Sequence, residues 1–261
     1  MSHEPEPFRD LPGDLDTPVP DGDAALVAGE QLPSERQPLS TDIIVGAAIA
    51  FIDTEGLPGL TMRRLGQLLG VEAMSLYRYV QGKEHLLDAV VESLAAQMSL
   101  DDEVLDEPRD GWQDFLQRLA HGIRRIALEH PKAFPLVASR PAEAPWLRPP
   151  LRNLEWVENF LNAMRSEGFS DEATVAAYRA FTSFLLGHLL LEVATLGADV
   201  GPLDVLADET ADEDGLADYP TVRRLQDSLS ENHAAAEFEE SLENLLDRLQ
   251  LLLNEQSRDS L

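Results

Sequence analysis

From Ser40 onward the apolar residues recur at spacings of three and four in segment after segment, and no strand-like alternation interrupts them. Such a chain can bury its apolar surface only by packing helix on helix. Ser40 stands as an N-cap before the first stripe, Ile43, Ile44, Ala47, Ala48, Phe51 and Ile52, and Gly56 and Pro58 stop it. Thr61 caps a short second helix with Leu65, Leu68 and Leu69 inward, which ends at Gly70. A third helix follows directly through Met74, Leu76, Tyr77 and Val80. Two short helices across a glycine-containing turn are a helix-turn-helix signature. Gly82 and Lys83 then lead into a fourth helix, with Leu86, Leu87, Val90, Val91 and Leu94 inward, running to about Met98.

The remainder is also helical. Trp112, Phe115, Leu116, Leu119, Ile123, Ile126 and Ala127 mark a helix ended by Pro131. Leu151, Leu154, Val157, Phe160, Leu161 and Met164 mark another, ended by Gly168. Ser170 caps a long apolar helix reaching about Leu196, Pro220 opens one carrying Val222, Leu225 and Leu229, and the last runs from about His233 to Asn254. The predicted class is all-α, with an N-terminal helix-turn-helix domain at 40–98 and a larger helical domain at 99–256. Residues 1–39, rich in Pro, Asp, Glu and Gly, are predicted to be a disordered acidic tail, and 257–261 a short C-terminal tail. Residues 198–218 hold eight acids and no base and are expected to form a mobile loop.

Charge narrows the function. The 261-residue chain carries a formal −28, which argues against nonspecific nucleic-acid binding over its whole surface. Residues 1–40 contribute nine acids against Arg9 and Arg36, a net of −7. Residues 41–83 set Asp42, Asp53, Glu55 and Glu72 against Arg63, Arg64, Arg78 and Lys83, a net of zero. A neutral segment in an acidic chain suits a small DNA-reading module. The absence of cysteine excludes disulfides and thiolate metal sites, and the apolar run near Leu190 is interrupted by His188 and Glu192, so no membrane partner and a cytoplasmic location are expected. The six histidines are scattered, and no HExxH, phosphate loop or nucleophile arrangement occurs; neither an enzyme, a metal nor a cofactor is expected.

The stretch Gly59 to Val90, with Leu60-Thr61, Leu65, Leu69-Gly70-Val71, Leu76-Tyr77, Val80, Lys83 and Leu86-Leu87, resembles the DNA-binding domain of the TetR (tetracycline repressor-like) family. Trp112 to Leu116, Arg140-Pro141 and Gly168-Phe169-Ser170 extend the resemblance, more weakly, to the family's C-terminal domain. It implies a homodimeric, ligand-responsive repressor of a palindromic DNA operator; a helical interaction module without specific DNA binding is the alternative. The third helix is then expected to enter the major groove. Arg63 is the candidate for a bidentate guanine contact, and Ser75, Tyr77, Tyr79 and Lys83 for phosphate contacts. Thr61, Arg64, Ala73, Met74 and Arg78 complete the expected DNA face, with Arg64 open to a purely solvated role. Ala73 and Met74 replace a base-reading Gln and a Pro of the family's namesake, so a different operator is expected.

In the body, Ala176, Ala180, Ser183 and Gly187 form a small-residue stripe, and Phe238, Leu242, Leu245, Leu249 and Leu252 a heptad-like seam. The resemblance assigns both to an intermolecular four-helix bundle; intramolecular core is the alternative. Ser99, Leu119, Ile123 and Leu136 fall where the namesake holds its drug and magnesium, and are mostly apolar, so a hydrophobic small-molecule effector is expected in place of a magnesium complex. Its candidate lining is Phe115, Leu119, Ile123, Phe134, Trp146, Phe160, Met164, Phe181 and Phe184, with Arg140 and His188 as polar anchors.

Overall fold

The computed structural model describes residues 38–100, 108–140, 154–200 and 218–259; most of the expected N-terminal tail, most of the 198–218 loop and Trp146 lie outside them. Every regular element among the described residues is helical. The head comprises α1 (Thr41–Glu55), a 3-10 turn at Leu57–Gly59, α2 (Met62–Leu68), α3 (Ala73–Leu76) and α4 (Lys83–Leu100). Local chemistry sets its boundaries: Ser40 Oγ accepts from Ile43 N at 3.2 Å and Thr61 Oγ1 from Arg64 N at 3.2 Å, while Gly56 closes α1 at φ +81°. The first stripe closes on Leu65, Leu76, Val80, Leu86, Leu87 and Val90, all buried.

The body comprises α5 (Trp112–Glu129), α6 (Pro135–Ser139), α7 (Leu154–Ser166), α8 (Asp171–Thr195), α9 (Pro220–Ser230) and α10 (Ala234–Asp259). Helix α8 is central, packing against α5, α7 and α10. It is long and apolar enough, by length and composition alone, to cross a membrane. Its Glu192, however, is buried and held bidentately by Arg124 of α5, at 2.6 and 3.0 Å. A charge pair of that kind belongs to a protein interior. Hydrogen bonding to Glu192 raises the Arg124 guanidinium above its ordinary value despite the opposing effect of burial.

Several sequence expectations need correction. Leu68, expected inward, is 59% exposed, because seven residues of helix have room for one buried row and Leu65 holds it. The third helix is a single turn rather than a run through Val80. Helix α10 continues to Asp259, beyond the expected end near Asn254 and through the start of the supposed tail. Its seam is intramolecular: Phe238, Leu242 and Leu249 are essentially inaccessible, and Phe238 meets Phe184 and His188 of α8 and His121 of α5 at ring distances of 5.2–5.9 Å. The small-residue stripe of α8 stays open, with Ser183 and Gly187 exposed and Ala176 and Ala180 half-buried.

Candidate nucleic-acid interface and effector cavity

The reading head depends on a contact between two backbones. An added Cβ on Gly66 of α2 would lie 2.9 Å from the Val71 carbonyl oxygen and 3.2 Å from the Ala73 nitrogen. Val71 N donates to Gly66 O at 2.9 Å across the same gap, and Gly70 makes the turn at φ +67°. Only glycine allows α3 to start this close to α2. The approach half-buries Ala73 and leaves Met74 73% exposed. Composition alone gave no reason to single out Gly66, since its role exists only in the folded contact.

Of the other expected DNA contacts, Thr61, Arg63, Arg78, Tyr77 and Tyr79 are exposed, and Ser75 and Lys83 are half-buried. Arg63, Arg78 and Lys83 form no ion pair among the described residues. Lys83 is the first residue of α4, where the helix dipole disfavours a positive charge. Arg64 differs from these: its guanidinium donates to Gly59 O at 3.1 Å and to Glu55 Oε2 at 3.0 Å, and lies 4.7 Å from the centre of the Phe51 ring. It fastens α2 to α1, so its chemistry is already committed within the head.

Besides the packing of α4 on α5 and α6, polar contacts among the described residues join head and body at two points. At the end of α6, Arg140 donates to Glu84 Oε2 at 2.6 Å and, through Nε, to Asp88 Oδ1 at 3.0 Å, both on the first turns of α4. Hydrogen bonding to Glu84, helped by Asp88 and opposed by burial, raises Arg140 above the ordinary guanidinium value, so it stays charged. At the end of α5, His130 Nδ1 pairs with Asp53 Oδ2 at 2.8 Å and Lys132 Nζ donates to Thr54 O at 3.1 Å, gripping the C-terminal end of α1.

Within the body, the described residues Ile123, Phe134, Val137, Trp156, Thr182, Leu185 and Leu186 line a partly open cavity of about 50 Å³. Thr182 supplies the one hydroxyl, which donates to Tyr178 O at 2.6 Å. Among the described residues, Ile123 and Phe134 are the two members of the expected lining found here. Phe115, Leu119, Phe160, Met164 and Phe181 are solid core, with Phe160 5.5–6.3 Å from Phe115, Trp156, Tyr178 and Phe181. Phe184 and His188 turn to Phe238, and Arg140 faces α4 instead of the cavity. Val137, Trp156, Thr182, Leu185 and Leu186 were missed, because helical spacing marks a residue as inward without saying what it meets. Burial pushes the Tyr178 hydroxyl up to about 12. A wider groove of about 540 Å³ runs between α1 and α4, floored by Val45, Gly46, Ile49 and Ala89.

Comparison with known proteins places these features in context. Residues 44–90 match the family described as "Bacterial regulatory proteins, tetR family", and residues 106–252 match "Tetracyclin repressor-like, C-terminal domain". The class E tetracycline repressor protein of Escherichia coli is 33% identical over 158 residues, covering 60% of this chain and 70% of its own. A structure described as a possible TetR family transcriptional regulator from Streptomyces coelicolor A3(2) superposes with a TM-score of 0.63 at 29% identity, covering 82% of this chain and all of the other. The Streptomyces coelicolor TetR family protein ActR in complex with (S)-DNPA gives 0.60 at 25% identity, covering 82% and 98%.

Proposed function

Because the chain belongs to the tetR family of bacterial regulatory proteins, we propose that it is a cytoplasmic, homodimeric transcriptional repressor that a small apolar effector releases from a palindromic operator. Residues 40–98 read DNA, and 99–256 bind the effector and dimerise; the chain acts as a regulator and not as an enzyme. The observation that carries this reading is the head itself. Arg63, Arg78, Tyr77 and Tyr79 are exposed around a short helix that Gly66 holds at a fixed angle, and Lys83 occupies a helix end where it opposes the dipole. Folding gains little from those charges, whereas phosphates and guanine edges give each of them a partner.

The cavity indicates the effector class. Among the described residues, six of the seven lining side chains are apolar and none is charged, which suits a hydrophobic molecule. A volume of about 50 Å³ lies well below the roughly 300–1,000 Å³ of a drug-sized site, so an effector of that size enters by displacing walls. Phe134 and Val137, at the start of α6 and within it, are two of those walls, and Arg140 connects the end of α6 to α4. Displacing α6 therefore pulls on the helix that begins with Lys83. Half-sites must be met about 34–36 Å apart, so a small tilt of α4 is enough to lose register. That the similar ActR structure holds (S)-DNPA supports a ligand-responsive body.

The test is a titration of the full chain onto an operator obtained by selection from random duplexes, against scrambled DNA over a range of salt. Affinity independent of sequence would refute operator recognition. Apolar molecules that bind, by thermal shift, without changing operator affinity would refute the coupling alone.

A further inference from the structure

We propose that Met74 reads the 5-methyl group of a thymine in each operator half-site, so that an apolar contact specifies one base pair at the tip of α3. This rests on the operator-binding reading above.

The geometry singles out Met74. Helix α3 has four residues, and their directions are set by the approach of Gly66: Ala73 is half-buried with its backbone against α2, Leu76 is in the core, and Met74 projects. At 73% it is the most exposed large hydrophobic side chain among the described residues. It makes almost no contribution to the core, and polar exposed groups, Arg63 and Arg78 among them, share the head with it. An isolated apolar residue on a surface is ordinary; one in the first turn of the element aimed at the major groove has a specific partner available there.

The chemistry then selects the base. Thymine alone presents a methyl group in the major groove, while guanine, adenine and cytosine are distinguished there by their donors and acceptors. Methionine has no donor and only a weak thioether acceptor, so it forms no strong hydrogen bond to those edges. It gains by covering apolar surface, and its flexible, polarizable chain adapts to the position of the methyl. Ala73 beside it has no polar side-chain atom either, so the first turn of α3 is apolar at two successive residues.

The experiment uses the full chain and the operator recovered by selection. Each thymine of the half-site is replaced by deoxyuridine, which removes the methyl and leaves the pairing edge intact. One position per half-site is expected to lose about fourfold in affinity, the worth of one methyl taken out of water. Met74→Ala should abolish that loss, and Met74→Leu, which keeps an apolar tip, should retain it. The exposed site makes both variants tolerable to the fold. If no thymine is methyl-sensitive, or if the sensitivity persists in Met74→Ala, Met74 is not the reader. If selection enriches no palindrome at all, the regulator reading fails first and this inference with it.

Discussion

The guanidinium of Arg140 closes on the Glu84 carboxylate at 2.6 Å, and those two residues, 56 apart in sequence, fix the end of α6 to the first turn of α4. Arg140 is 14% exposed and bridges to Asp88 as well. Arg140→Met should therefore cost about 1–3 kcal/mol in stability, because Asp88 loses a charged donor in a partly buried site, while Glu84 is exposed and adds little. Operator affinity without effector should change less than the response to effector, which should be largely lost. Arg140→Lys should not rescue it, since an ammonium lacks the planar fork that reaches two carboxylates. Thermal denaturation together with operator titrations, with and without effector, checks both parts.

Arg63 and Lys83 should separate specificity from affinity. Arg63→Ala is expected to cost about 1–3 kcal/mol and to relax preference at one base pair, whereas Lys83→Ala should weaken all sequences alike and reduce the salt slope by about one per head. Binding to a set of single-base operator variants at several salt concentrations distinguishes the two.

Gly66→Ala should damage the reading head more than its size suggests. The added methyl meets backbone atoms at 2.9 and 3.2 Å, which cannot rotate away. A cost of about 1–3 kcal/mol, as for overpacked cores, and loss of operator binding with the helical content kept are expected. Circular dichroism paired with an operator titration measures both.

Gly187 provides the contrast, since an added Cβ there meets nothing within 4 Å. Gly187→Ala should leave the fold intact and favour the helix by up to about 1 kcal/mol. Gly187→Arg should split the dimer, because Gly187 sits on the open face of α8 near Leu191, which is 72% exposed. Sedimentation velocity reads the mass directly.

Tyr178 adds a contribution of its own to the alkaline loss of stability. Burial holds its hydroxyl neutral up to about 12, against an unfolded value of 10.0. A group whose folded value is raised keeps its full contribution below the unfolded value and loses it as pH rises through the folded one. Stability should thus fall between about pH 10 and 12, by at most about 2–3 kcal/mol from this group. In Tyr178→Phe that part of the decline should disappear, as followed by denaturant midpoints at pH 9 to 12.

The starts of α1, α2 and α8 and the end of α1 were legible because caps and stops act within a few residues: Ser40, Thr61, Ser170 and Gly56 each sit where the sequence places them. The direction in which a side chain points was less so. Leu65 and Leu68 have the same chemistry, and only the partner helix decides that one is buried and the other exposed. Arg140 and Phe238 were misassigned for a related reason, since their partners lie 52 to 56 residues away in one case and on another long helix in the other. Small residues were the hardest to read. Gly66 carries no chemical signal, and its importance arises from the atoms it allows to come near.

Lys83 opens α4 directly after Gly82, a residue with no side chain to accept from the free amides of that first turn. The helix therefore begins with a repelled cation and without a side-chain cap from the residue before it. A phosphate oxygen laid against this end would answer both deficits, accepting from the amides while neutralising the ammonium. On the proposed reading, operator phosphate would supply the cap that Gly82 cannot, at the same helix start that Arg140 ties to the body through Glu84.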